Sequence, residues 1–407
     1  MIRYVLIAIL IFSILFNKYI AQDTVKVTYY NLLNFPYLQQ DRVDTLKKIL
    51  DFIQPDIFVV NELTSFNGGA LIKNNALNVN GVNSFASAVF YDGPDTDNLL
   101  FFDQTKFGLH SQNQIVTTLR DINEYVLYYK DPNLGLTQDT TLLYFYSLHL
   151  KAGNSSTNEN RRYQDVVILK QYLVNNNKSS KLFIGGDFNF YSHTETGCQE
   201  ILNGQGLNLI DPINRMGNWH VNSGYKNYHT QSTRSSSGGY AGGATGGMDD
   251  RFDFIFVSED VMSGSDGVMY LDNSYLADGQ DGSYFNQALN VFTNTNVPQS
   301  VANALFHMSD HLPVSLKFIV GGTVGINNSK TDNINISYLS FNKNLAIQGI
   351  NSNCKVMLYD IKGACVLNKY YRQKIDINID LSEVNNGFYI LSCILENRRI
   401  NYKFVIN

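Results

Sequence analysis

Acidic and amide side chains recur where apolar, strand-like runs end. Asn31 follows Val27–Tyr30, Glu62 follows Ile57–Val60, and Asp187 and Asn189 follow Leu182–Ile184. Neighbouring strands bring such ends to one sheet edge, and several oxygen donors gathered there suit a hard divalent cation such as Mg²⁺. Each residue alone reads as a solvated loop carboxylate or a turn-forming asparagine. Two histidines sharpen the pattern. His149 closes the apolar run Leu142–Leu148, and His311 stands in Met308-Ser309-Asp310-His311-Leu312-Pro313 ahead of another run. A cation, a charged imidazole and an amide are what a pentacovalent phosphoryl transition state calls for, because its oxygens must be neutralised and a water positioned.

The elements that must position these groups alternate along the chain. Val25–Tyr30 reads as a strand, Arg42–Ile53 as a helix with Val43, Leu46, Ile49, Leu50 and Ile53 at helical spacing, and Asp56–Val60 as the next strand. Further strands are expected at Phe85–Phe90, Leu99–Phe102, Glu124–Tyr129, Leu142–Leu148, Leu182–Ile184, Phe252–Val257 and Val314–Ile319, with a second helix at Arg161–Val174. This is a mixed α/β pattern. The connections 191–250 and 258–308 exceed usual loop lengths, which marks them as functional, disordered or holding small elements.

Six short motifs now stand in order: Tyr30-Asn31, Asn61-Glu62, Ser147-Leu148-His149, Gly186-Asp187-Phe188-Asn189, Arg251-Phe252-Asp253-Phe254-Ile255 and Ser309-Asp310-His311. Together they resemble the ordered motifs of the endonuclease/exonuclease/phosphatase superfamily, the deoxyribonuclease I-like fold. The resemblance implies a four-layered α/β sandwich of two packed mixed β-sheets flanked by helices. It also implies that Glu62 is the principal metal ligand, with Asn31 and Asp310 completing or supporting the metal site. Mg²⁺ is the expected ion, with Mn²⁺ and Ca²⁺ as alternatives. Asp187 would orient or deprotonate the attacking water, and Asn189 would hold a phosphate oxygen or that water. His311, oriented by Asp253, would bind the scissile phosphate. His149 would supply a second phosphate contact or the leaving-group proton. An aspartate behind a histidine fixes its tautomer and keeps it cationic against a phosphate.

Two departures bear on the site. Asn61 stands where the family commonly has Gln, so support behind Glu62 is shortened. In Arg120–Tyr129 no exact motif assigns the phosphate-contacting Arg or Tyr of many relatives; Arg120 is the candidate substrate-binding residue, against a plain surface arginine. Ser235–Gly247 lacks the Lys-Ser/Thr ending of a P-loop and reads as a mobile rim loop or a disordered insertion. His193, His220, His229 and His307 show no zinc-ligand spacing and receive no role.

Beyond the polar stretch from Gly321-Gly322 to Asn333 the pattern becomes short β-like runs: Lys355–Tyr359, Lys374–Ile379, Phe388–Ile394 and Asn401–Ile406. They suggest a small C-terminal all-β sandwich. Val356-Met357-Leu358-Tyr359-Asp360 with Gly363, Ile377–Leu381, Asn386-Gly387-Phe388-Tyr389-Ile390-Leu391 and Lys403-Phe404-Val405-Ile406 resemble the type IX secretion sorting domain of Gram-negative bacteria. That resemblance implies recognition by the outer-membrane translocon, and release or surface attachment.

Arg3 followed by the apolar run Tyr4–Phe16 and by Ala21 before Gln22 reads as a signal peptide. The expected organisation is therefore a signal peptide (1–21), a catalytic domain (22–322), a linker (323–333) and a sorting domain (334–407). Hydrophobic residues at 44% and charged residues at 16% exclude a disordered, collagen-like or coiled-coil chain. Lys+Arg number 31 against 36 Asp+Glu, a formal charge of -5, so no basic surplus advertises nonspecific binding to polyanions. Residues 22–323 hold 19 Lys+Arg against 30 Asp+Glu, and 324–407 hold 10 against 6. The four cysteines fit one bridge in the C-terminal unit or buried free thiols equally.

The expected function is a secreted, metal-dependent phosphoesterase attacking a P–O bond with water, nucleic acid being the first substrate. Lipid head groups, inositol phosphates and sugar phosphates form the alternative. A non-catalytic surface binding module is the third reading, and the intact Glu62, Asp187, Asn189, Asp310 and His311 speak against it.

Overall fold

The computed structural model describes residues 23–37, 41–131, 140–236, 242–321, 335–339, 343–350, 353–372, 376–395 and 399–406. The expected signal peptide and linker lie outside the described residues. The chain divides into two compact units between residues 324 and 325.

In chain order the strands of the first unit are β1 Asp23–Phe35, β2 Ile57–Leu63, β3 Phe85–Ser87, β4 Asp97–Asp103, β5 Phe107–Ile115, β6 Ile122–Tyr129, β7 Leu142–His149, β8 Leu182–Asp187, β9 Leu209–Ile210, β10 Asp253–Ser258, β11 Val268–Tyr270, β12 Leu276–Ala277 and β13 Val314–Val320. They form two mixed sheets. One runs β11-β13-β1-β2-β4-β3, with β12 also on β13, and the other runs β5-β6-β7-β8-β10-β9. Each sheet has one parallel pair, β1 with β2 and β7 with β8. Each parallel crossover carries a helix, the usual connection for a parallel pair.

The helices are α1 Arg42–Ile53, α2 Phe66–Leu71, α3 Ser156–Asn175, α4 Thr196–Asn203, α5 Glu259–Ser263 and α6 Gln299–Met308. α1 buries the apolar stripe read from its spacing. α3 begins earlier than its apolar period suggests because Ser155 caps it, accepting from the Asn158 amide, with Glu159 in the positively polarised first turn.

Alternation along the strands divides the interior. Phe145, Phe183 and Ile255 join Tyr29, Val59 and Phe318 between the sheets, in a core that continues to Leu46 of α1 and Leu305 of α6. Tyr146, Ile184, Phe254 and Phe256 point the other way, against Val166, Leu169 and Leu173 of α3 and Ile201 of α4. The layers are therefore helix, sheet, sheet, helix. Gly185 lets the two sheets approach closely, since a Cβ there would lie 2.8 Å from the Tyr29 ring.

Sequence pattern misses β5, an edge strand whose middle residues are polar and half-exposed. The long connections hold small elements: α4 and β9 in the first, α5, β11, β12 and α6 in the second.

The second unit has β14 Asn335–Leu339, β15 Asn344–Gln348, β16 Cys354–Asp360, β17 Cys365–Tyr371, β18 Asp376–Asp380, β19 Gly387–Leu395 and β20 Arg399–Ile406. Two antiparallel sheets, β14-β15-β18 and β17-β16-β19-β20, share one apolar core. Leu345, Ile347, Ile377 and Ile379 face Val356, Leu358, Leu391, Phe404 and Ile406 across it. All four cysteines are reduced, with Cys365 exposed and the others buried. Among the described residues no helix is long and apolar enough to cross a membrane.

Candidate active site

Strand register assembles the site. His149 pairs with Asp187 across the parallel β7/β8 pair, and Asp187 pairs with Asp253 across β8/β10, so the three side chains form one row on one face. On the other sheet Asn31 pairs with Asn61, and Glu62 follows. Asn61 ties the two rims together: its amide donates to Asn98 Oδ1 (2.6 Å), Ser147 Oγ (3.0 Å) and the Leu148 carbonyl (3.1 Å). The short amide that departs from the family pattern thus stitches sheet to sheet. Gly186 has φ +129° and no room for a Cβ, which would sit 2.1 Å from the Leu148 carbonyl oxygen, so only glycine can precede Asp187 here.

Glu62 adopts a left-handed backbone (φ +57°), and so does Asn189 (φ +51°). For glutamate this costs about 1–2 kcal/mol. Contacts at the strand end hold it there: Glu62 Oε2 accepts from the Asn34 amide (2.9 Å) and Oε1 from Asn31 Nδ2 (3.0 Å). Asn31 Nδ2 also donates to Asp187 Oδ2 (3.1 Å), while its Oδ1 accepts from the Leu33 amide. As placed, Asn31 bridges the two carboxylates as a donor.

His149 Nε2 lies 3.6 Å from Glu62 Oε1 and 3.5 Å from Asp187 Oδ2. His311 Nε2 lies 3.6 Å from Asp187 Oδ2, and its Nδ1 is 2.8 Å from Asp253 Oδ2. Asp310 Oδ2 accepts from the Ala244 amide (2.6 Å), whereas its Oδ1 is buried without a hydrogen-bond partner.

Burial sets the titration of the cluster. It pushes Glu62 up, Asp310 adds to this, and the Asn31 hydrogen bond opposes it. Burial takes Asp187 up to about 7 against the pull of His311, with Asp253 and Glu62 raising it further. Burial, with Arg120 next, holds His149 well below the usual histidine range, so its imidazole is neutral. For His311 burial also acts downward, but Asp253, Asp187 and Asp310 outweigh it and keep the ring cationic.

The donor set fits a divalent cation. Carboxylate oxygens of Glu62 and Asp187 and a ring nitrogen of His149 lie within 4.8 Å of one another, as do donors from Asp187, Asp253 and His311. Carboxylates raised by burial, with one Asp310 oxygen left unpartnered, are what such an ion would satisfy.

Asn189 Nδ2 donates to the Leu150 carbonyl (3.2 Å). Arg120 reaches the same carbonyl from its Nη1 (3.3 Å) and pairs with Asp95 through Nε (2.8 Å), which puts its guanidinium at the site's edge. The structure thus brings Asn31, Glu62, His149, Asp187, Asn189, Asp253, Asp310, His311 and Arg120 to one place.

Several neighbours carry no sequence signal. Buried Arg42 donates to the Leu32, Leu33 and Met308 carbonyls, fixing the chain after Asn31 to the end of α6. Buried Arg162 pairs with Glu195 and holds the Lys151 and Gly153 carbonyls just past His149. Residues 242–247 of the glycine-rich run are docked: Arg234 donates to the Gly242 carbonyl and Ala244 donates to Asp310. Residues 237–241 of that run lie outside the described residues. His220 pairs with Asp250 (2.7 Å), and Gln231 touches both Asp310 and His311. A polar residue in a loop is visible as a site residue only once its cross-strand neighbours are known.

Residues 328–407 match the model of the secretion system C-terminal sorting domain family, so the second unit carries that domain. No curated protein matches the chain. Similar solved structures include D. rerio TDP2 complexed with a single-strand DNA product, at 15% identity and TM-score 0.47, covering 72% of this chain and 98% of that one. An endonuclease/exonuclease/phosphatase family protein of Bacteroides thetaiotaomicron aligns at 12% identity and TM-score 0.45, over 74% of this chain and 99% of that one. The human Nocturnin catalytic domain with bound sulfate aligns at 17% identity and TM-score 0.42, over 73% and 97%.

Proposed function

We propose that the first unit is an endonuclease/exonuclease/phosphatase-type hydrolase that cleaves phosphodiester bonds of nucleic acid with a bound divalent cation. The supporting observation is the meeting of Glu62, His149, Asp187, Asp253 and His311 in one buried cluster at the facing rims of two sheets. Glu62 would hold the cation, with Asp310 and Asn31 beside it, and Mg²⁺ suits these hard oxygen donors. The ion would supply neutralisation of charge on the phosphoryl oxygens.

Asp187 and Asn189 position the attacking water. Cationic His311, oriented by Asp253, contacts the scissile phosphate, and neutral His149 closes the opposite side of the row. Arg120 offers a further phosphate contact from the edge. With 19 Lys+Arg against 30 Asp+Glu in residues 22–323, affinity for a polyanion rests on these few contacts. The second unit, with a signal peptide at 1–21, sends the enzyme through the periplasm and the type IX outer-membrane translocon.

Incubation of the purified protein with plasmid DNA, RNA, sphingomyelin and inositol phosphates, in Mg²⁺ or EDTA, tests the reading. Cation-dependent cleavage of DNA or RNA is expected. Turnover of lipid or inositol phosphate alone would replace the substrate, and no turnover of any ester would overturn the enzyme. Deleting 325–407 should retain the protein in the periplasm; its appearance in the medium would remove the sorting role.

A further inference from the structure

The phosphate-facing nitrogen of His311 is covered. With Nδ1 committed to Asp253, Nε2 is the ring atom left for a ligand, and the Gln231 side-chain amide stands 2.6 Å from it. The same amide donates to Asp310 Oδ2 at 3.2 Å. This placement is built by the backbone: Gln231 is bridged on one side to His311 and on the other to Asp250. The Gln231 amide nitrogen donates to the Asp250 carbonyl (3.0 Å), and its carbonyl accepts from both Asp249 and Asp250 (2.9 Å each). Residues paired across a ladder project to the same face, so Gln231 and His311 present their side chains together. The Gln231 main chain is pinned while its half-buried side chain keeps its rotatable bonds.

We propose that Gln231 is a substrate-binding residue that donates a hydrogen bond to the phosphate group held by His311. A primary amide has two N–H donors. One remains on Asp310. The other finds no acceptor in His311, whose Nε2 also carries a proton in the cationic ring, so two N–H groups converge on the place that an incoming phosphoryl oxygen, an acceptor-only group, takes beside Nε2. Gln231 thereby links Asp310 to the substrate and favours ligands that present an acceptor at this point. The inference rests on the hydrolase reading of the same site.

The test compares wild type, Gln231→Ala and Gln231→Glu. The glutamate variant keeps the shape, removes both donors and sets a carboxylate beside Asp310. Two readouts are taken in Mg²⁺: KM and kcat on bis(p-nitrophenyl) phosphate, and the affinity for inorganic phosphate by calorimetry. Loss of a hydrogen bond to a charged group predicts KM raised, and phosphate affinity lowered, by about ten- to a hundredfold in both variants, with the melting temperature of Gln231→Glu held near wild type. Variants that keep wild-type KM and wild-type phosphate affinity would overturn the inference while leaving the hydrolase intact. A wild type that neither turns over the ester nor binds phosphate would overturn the hydrolase reading and this inference with it.

Discussion

The two units bury apolar side chains alike and differ in what else they bury. The first encloses Arg42, Arg162, Arg251, Lys170, Asp187, Asp253, Asp310 and His311, whereas among the described residues Ser392 is the one buried polar side chain of the second. Enclosing charge is costly unless it is paired and hydrogen-bonded. Arg162 with Glu195 and Arg251 with Asp211 meet that condition, and Arg42 meets it in part, with its two terminal nitrogens on three carbonyls and its Nε unpartnered. The Glu62, Asp187 and Asp310 carboxylates meet it incompletely, which separates a site from a scaffold. Among its described residues the second unit buries no charged side chain.

The contrast predicts opposite responses to substitution. Asp187→Asn removes a carboxylate that burial already pushes toward its neutral form, so turnover should fall by roughly a thousandfold or more while the melting temperature holds or rises. A melting temperature that dropped as after a core truncation would break the contrast. His311→Ala should lower kcat by about a hundredfold, measured on whichever ester the wild type cleaves. In the second unit Leu391→Ala should cost about 2–5 kcal/mol of that unit's stability by denaturant titration and leave turnover unchanged; lost turnover would show that the second interior serves the site.

The last effect is in pH. The Asp187 carboxyl is raised to about 7 in the fold, above an unfolded value of about 3.9. A raised acid favours the fold in its protonated form. In cation-free protein this contribution is therefore present at low pH and lost as pH rises through about 7. Melting curves of wild type against Asp187→Asn should diverge over that window, with the variant less sensitive to pH. Parallel curves would remove Asp187 as the source.

How much was legible in the sequence follows from where each side chain sits. Glu62, His149 and Asp187 end apolar runs, and strand ends at one rim announce themselves by that change of character. α1 was readable to the residue because its stripe is regular. β5 was not, since an edge strand with polar middle residues has little apolar alternation to detect. Gln231, Arg42 and Arg234 were invisible for another reason: their roles are bonds to backbone or to side chains far along the chain, and such bonds leave no periodicity. In the second unit sequence pattern misses β14 and β15, which are five residues each, and β17, which is largely exposed.

The central claim is that Glu62 and its neighbours hold one divalent cation needed for hydrolysis. Calorimetric titration of Mg²⁺ into the chelator-treated wild type and the Glu62→Gln variant tests it most directly. One site per chain in the wild type, absent from the variant together with its phosphodiesterase activity, is the predicted result. Equal Mg²⁺ binding by both proteins, or full turnover by either in EDTA, would contradict it.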